Sequence, residues 1–200
     1  MAENENLDLI FLMDRSGSMS GSEKDTIGGF NSFIEREKTK SGNVRVTTVL
    51  FDDNYEILYT RKNINDVEKL TENEYWVRGT TALLDAIGKT INTLDKEIDN
   101  KVLFVIMTDG MENASREFSK NQIRELIENH AWEFIYIGAD IDSYTEAGHI
   151  GIRQSRVANY EKTSEGFDNV YYSLGVTVDC MKKDIEMDEV NWKEKLEKYD

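Results

Sequence analysis

Apolar runs and helix-period segments alternate along the chain. Residues 7–12 and 102–107 form dense apolar runs with flanking turn signals, the pattern of parallel strands covered on both faces. Residues 44–51 and 132–137 repeat that pattern less purely. Between these runs lie apolar residues three and four positions apart: Ile27, Phe30 and Ile34; Leu83, Leu84, Ile87, Ile91 and Leu94; Ile123, Leu126 and Ile127; Phe167, Val170, Tyr171, Leu174 and Val178. Such spacing predicts amphipathic helices, the third behind a capping box, Ser119-x-x-Gln122, and the last over residues 164–183. Asp53-Asn54 reads as a turn, so residues 55–60 are expected to fold back antiparallel as an edge strand. A sixth short strand is expected near residues 156–159. The sum is a βαβ-type alternation, hence a mostly parallel sheet sandwiched by helices.

A chain of 200 residues buries about 70% of its unfolded surface in one core, so one domain over residues 1–183 is expected. Residues 184–200 form an acidic stretch with Trp192, Leu196 and Tyr199 at helical spacing, read as a short helix docked on the domain, with a partner-binding tail as the alternative. The chain contains no proline, and nothing in the sequence gives that absence a function. Charge narrows the partners. Lys and Arg total 24 against 39 Asp and Glu, a net charge of -15, which repels phosphate backbones and anionic lipid headgroups alike. The apolar runs are too short to cross a bilayer, and the few residues before the first strand leave no room for a leader, so a cytoplasmic location is expected. One cysteine, Cys180, excludes an internal disulfide and a thiolate zinc site, while His130 and His149 stand apart. Oxygen chemistry remains.

Ligands of open parallel sheets gather beyond the carboxyl ends of the strands. Three polar clusters fall at such places. Asp14, Ser16 and Ser18 in "DRSGSMS" follow the first strand. "TDG", ending the run 102–107, supplies Asp109, and "RGTTALLDAI" sets Thr80 and Thr81 at the start of an amphipathic helix. Adjoining strands bring Asp14 and Asp109 to one edge, where two close carboxylates repel unless a cation neutralises them. With serine and threonine hydroxyls and water, such a set suits a hard divalent ion, Mg²⁺ first and Mn²⁺ or Ca²⁺ next. Gly17 and Gly21 let the loop turn over the ion.

These residues resemble the von Willebrand factor type A (vWA) family. "DRSGSMS" is similar to the Asp-x-Ser-x-Ser motif of its metal-ion-dependent adhesion site, "GTTALLDAI" to its threonine segment and "VIMTDG" to its final aspartate segment, all in the family's order. The resemblance spans residues 7–183. It implies a Rossmann-like three-layer sandwich, with a six-stranded, mostly parallel sheet and one antiparallel edge strand. It also implies a metal set of Asp14, Ser16, Ser18, Thr81 and Asp109, with the serines ligating directly and Asp14 acting through water. Counting in the family pattern favours Thr81 over Thr80: from Thr81 it finds Leu83, Ala86 and Ile87. Such domains commonly bind proteins when a partner's Asp or Glu completes the coordination sphere, so a monomeric, Mg²⁺-dependent protein-binding module is expected. A stand-alone member of bacterial or phage type is the closest description.

Each segment alone would more often be a cap or turn; the coincidence of three reverses that reading. Asp140 and Glu112 read as loop carboxylates near the rim, and Arg78 as a cation offsetting local charge or meeting an acidic ligand. Met13, Met19 and Met111 crowd the rim, with core filling equally open to Met13. Trp76, Trp132 and Cys180 read as core, and both histidines as surface or capping residues. A Mg²⁺-dependent phosphatase is the enzyme alternative, but Ser16 stands where its general acid belongs. Neither a GxxxxGK[ST] loop nor a GxSxG elbow is present. A structural domain with an unused metal site is the third reading.

Overall fold

A computed structural model describes residues 6–197. The strands are β1 (Asn6–Asp14), β2 (Asn43–Phe51), β3 (Tyr55–Asn63), β4 (Lys101–Thr108), β5 (Glu133–Gly138) and β6 (Val157–Asn159). They form a six-stranded sheet in the order β3-β2-β1-β4-β5-β6. Every pairing is parallel except β2 with β3. Helices α1 (Glu23–Lys38) and α5 (Ser164–Lys182) cover one face; α2 (Leu83–Leu94), α3 (Lys120–Asn129) and α4 (Ser143–His149) cover the other.

Because successive strand residues point to opposite faces, β1 feeds two cores. Leu7, Leu9, Phe11 and Met13 pack with Phe30, Phe33, Phe167 and Leu174, whereas Ile10 and Leu12 pack with Ile87, Ile91 and Ile123. That double burial explains why the run shows no alternation in sequence. The Phe11 ring sits edge-on to Phe30 and Phe33, with centroids 5.2 and 5.6 Å away. The capping box forms as the sequence predicts, with Ser119 and Gln122 each satisfying the other's backbone at the start of α3.

Several details differ from the sequence reading. Asp8 interrupts the apolar run of β1 and is buried, yet Arg61 Nε lies 2.8 Å from its Oδ1 and Asn100 Nδ2 lies 2.9 Å from its Oδ2. This anchor carries β3 past Thr60 to Asn63: the β2–β3 register slips near Thr48, and Arg61 takes a φ of 46°. Trp76 is not core. It is 43% exposed, its ring held beneath the Arg78 guanidinium at 4.4 Å. Trp132 is half-buried and stacks on Phe104 and Phe134. Met13 and Met19 are buried, which leaves Met111, 62% exposed, as the methionine at the rim. After α5 the chain makes a short 3₁₀ turn, Met187–Glu189, and Met187, Trp192 and Leu196 join the α1/α5 core. Tyr199 lies outside the described residues. No described helix is long and apolar enough to cross a membrane.

Candidate metal centre

The central strands deliver the site. β1 and β4 are neighbours in parallel register, with Met13 beside Met107, so Asp14 and Asp109 emerge together at the carboxyl edge. The chain then leaves β1 through a 3₁₀ turn at Gly17–Met19, which brings Ser16 and Ser18 over the same point. From the far side, Gly79 at a φ of 66° turns the loop before α2, and its carbonyl accepts from Gly17 N at 3.1 Å. Thr81 is thereby set against Ser16.

The five residues picked from the sequence converge: four form one chain of side-chain hydrogen bonds, and Asp14 joins it through the Ser16 backbone. Thr81 Oγ1 donates to Ser16 Oγ at 3.0 Å, Ser16 and Ser18 hydroxyls lie 3.1 Å apart, and Ser18 Oγ donates to Asp109 Oδ1 at 2.5 Å. Asp14 Oδ1 accepts the Ser16 backbone N–H at 2.6 Å, and its Oδ2 accepts Thr108 Oγ1 at 2.6 Å. Thr80 is exposed while Thr81 is buried, so the two adjacent threonines have different roles. Gly110 forms the floor: a Cβ there would stand 2.5 Å from Thr81 Oγ1, 3.1 Å from Ser18 Oγ and 3.4 Å from Asp14 Oδ2.

Two buried carboxylates dominate the electrostatics of the cluster. Burial pushes the Asp14 carboxyl up to about 6, with the Asp109 charge adding to the rise and the Thr108 and Ser16 hydrogen bonds working against it. Asp109 Oδ2 is buried and accepts no well-directed hydrogen bond; the Lys162 ammonium stands 2.7 Å from it as an ion pair. Among the described residues no three His, Cys, Asp or Glu side chains cluster as a metal site on their own. The donors here are instead two carboxylates and three hydroxyls, and that oxygen set, with a buried carboxylate oxygen that accepts no well-directed hydrogen bond, fits a hard divalent ion.

A second network holds this loop from behind. Arg15, between two site residues, turns the other way and is fully buried. Its Nε lies 3.1 Å from Asp52 Oδ2 and its Nη2 lies 2.8 Å from Glu56 Oε2. Arg78 Nε reaches the same Asp52 oxygen at 2.8 Å, which assigns Arg78 to local charge balance. Burial works to raise the Asp52 carboxyl, but Arg78, Asn54 and Arg15 outweigh it and hold it below the usual range. Tyr75 Oη donates to the Asp14 carbonyl at 2.6 Å. Glu112 is drawn into structure: it accepts the N–H groups of Leu84, Ala114 and Ser115. Asp140, 71% exposed on its side chain, meets Lys162 Nζ at 3.0 Å. His130 caps α3, its Nε2 2.9 Å from Asp95, and His149 ends α4.

Sequence reasoning missed Lys162, Thr108, Gly110 and the Arg15–Asp52 anchor. Thr108 and Gly110 flank Asp109 in a segment already singled out, so their position was the available signal. Lys162 had only its place in a loop following a strand.

A von Willebrand factor type A domain model matches residues 9–112 of the chain. The chain belongs to that family. Solved structures share its fold. Proximal thread matrix protein 1 from the mussel byssus aligns with a TM-score of 0.65 at 16% identity, covering 88% of this chain and 46% of that one. The vWF domain of the type V pili tip protein Mfa5 from Porphyromonas gingivalis gives 0.60 at 12% identity, covering 86% and 96%. The manganese-loaded TRAP protein of Plasmodium vivax gives 0.56 at 20% identity, covering 80% and 70%. The chain thus spans less than half the length of the mussel protein. No curated protein matches it.

Proposed function

We propose that the chain is a divalent-metal-dependent protein-binding module, with Mg²⁺ the first choice of ion and no catalytic role. Asp14, Ser16, Ser18, Thr81 and Asp109 would hold the ion, directly or through water. When bound, the ion supplies a Lewis-acidic point that attracts an anionic oxygen donor. The partner's contribution is an Asp or Glu carboxylate. The observation that carries this reading is the unbroken chain Thr81–Ser16–Ser18–Asp109. Its members come from three separate loops and offer only oxygen donors, with no imidazole or thiol placed for nucleophilic or acid–base work. The chain's own residues do the rest: Thr108 orients Asp14, Arg15 locks the loop, and Met111 and Trp76 present exposed apolar surface for a partner to cover.

An affinity capture from cells of the source organism tests it. Partners retained in Mg²⁺ and released by EDTA, and not retained by Asp109→Ala, are expected. A partner set indifferent to both chelator and variant refutes the reading.

A further inference from the structure

Lys162 lies in the loop between β6 and α5, and nothing in the family motif accounts for it. Its ammonium joins three separate parts of the rim. It pairs with Asp109 Oδ2 at 2.7 Å and Asp140 Oδ2 at 3.0 Å, and donates to the Ser18 carbonyl at 3.1 Å. The side chain is 24% exposed, while that of Asp109 is fully buried. The loop that carries it is fixed on both sides, before it by Tyr160 N donating to the Gly138 carbonyl at 2.9 Å. Thr163 Oγ1 accepts Gly166 N as the N-cap of α5, and Ser164 Oγ donates to Asp25 on α1 at 2.7 Å. Lys162 is therefore delivered to the site by ordered backbone rather than swept there by a free arm.

Two cations cannot comfortably share one buried carboxylate. An ion attracted to Asp109 repels an ammonium held on the same group, and the ammonium has a second carboxylate, Asp140, at the solvent edge. Resting on the metal-binding reading above, we infer that Lys162 is a tethered counter-cation. It neutralises Asp109 in the ion-free protein and is displaced towards Asp140 when a divalent ion binds, so that it sets the affinity of the site. Removing its charge should therefore tighten metal binding, even though it removes an interaction from the folded protein. Removing its landing place should do the opposite.

Calorimetric titration of Mg²⁺ and Mn²⁺ into the full chain tests this. Lys162→Met is expected to bind at least tenfold more tightly than wild type, and Asp140→Asn, an exposed change that leaves the core untouched, several-fold more weakly. Acylation of the Lys162 amine, followed by mass spectrometry, supplies a readout independent of affinity. The amine should be slow to react in chelator and several-fold faster in saturating Mg²⁺. Equal or weaker binding by Lys162→Met, or labelling indifferent to Mg²⁺, overturns the counter-cation role while leaving the metal site standing. Absence of binding by wild type and both variants sinks the metal site as well.

Discussion

Replacing Gly110 by alanine places one methyl group at the floor of the site, and its consequences follow from distances. The new Cβ would meet Thr81 Oγ1 at 2.5 Å, well inside van der Waals contact, whereas Ser18 Oγ at 3.1 Å and Asp14 Oδ2 at 3.4 Å need little or no adjustment. Gly110 has no positive φ, so the backbone tolerates alanine and the effect comes from the methyl alone. Thr81 has little freedom to retreat. Its N–H donates to Asn113 Oδ1 at 2.9 Å and its carbonyl accepts the N–H groups of Asn113 and Ala114. Rotation of the side chain is the remaining way out, and it breaks the 3.0 Å bond to Ser16. Overpacking of this kind costs about 1–3 kcal/mol, and the lost hydrogen bond roughly 1 more. A domain with typical stability of about 5–15 kcal/mol survives that. At about 2–4 °C per kcal/mol for this size, the metal-free protein should melt several degrees lower. Binding should suffer more specifically: losing one donor worth a similar energy weakens the ion about tenfold to a hundredfold. Calorimetric titration of Mg²⁺ into Gly110→Ala, beside thermal melts in chelator, measures both. An unchanged dissociation constant would show that Thr81 and the floor beneath it take no part in holding an ion.

Two other perturbations separate charge from scaffold. In the metal-free protein Asp14 titrates at about 6 instead of 3.8 because it is buried, so the folded state holds its proton more tightly than the unfolded state does. Its contribution is fully present below about pH 4 and is lost as pH rises through 6, a change of up to roughly 3 kcal/mol. Denaturant unfolding in EDTA should show Asp14→Asn matching wild type at pH 4 and exceeding it at pH 7; a stability difference independent of pH contradicts this origin. Asp85, on the buried side of α2, accepts the N–H groups of Arg116, Glu117 and Phe118, each at 2.9 Å, and so braces the loop that carries Asn113 against Thr81. Asp85→Ala should destabilise the protein by about 2–3 kcal/mol and weaken Mg²⁺ binding without touching a ligand; full-strength binding would mean that the loop holds its shape unaided.

The division between what the sequence displays and what it hides has a physical basis. Strands covered on both faces must be apolar throughout, so β1 and β4 stand out, and the residues just beyond them are site candidates by position alone. Asp14, Ser16, Ser18, Thr81 and Asp109 were legible because each is a local signal in a recognisable spacing. Charges that act across the chain leave no such trace. Arg61 meets Asp8 from 53 positions away, and Lys162 meets Asp109 from another loop altogether. Trp76 misled for a related reason. A large aromatic ring ordinarily signals core, and only the guanidinium stacked over it explains its place at the surface.

The same loop shows how a polar site is kept rigid within an acidic protein. Asp14 and Ser16 point into the centre, so Arg15 between them must point away, and this outward side chain is as fully buried as its two neighbours, against Asp52 and Glu56. A slip of one residue would carry the guanidinium into the centre and both oxygen donors out of it, leaving Asp52 with Arg78 as its cation partner and a positive charge in place of the donors. That penalty makes the register of the loop unique. With the Asp14 carbonyl held by Tyr75 and Ser16 N held by the Asp14 carboxylate, the donors stand in place before any ion arrives. Were an ion to bind, little further ordering would be charged against it, and five modest oxygen donors could act as one site.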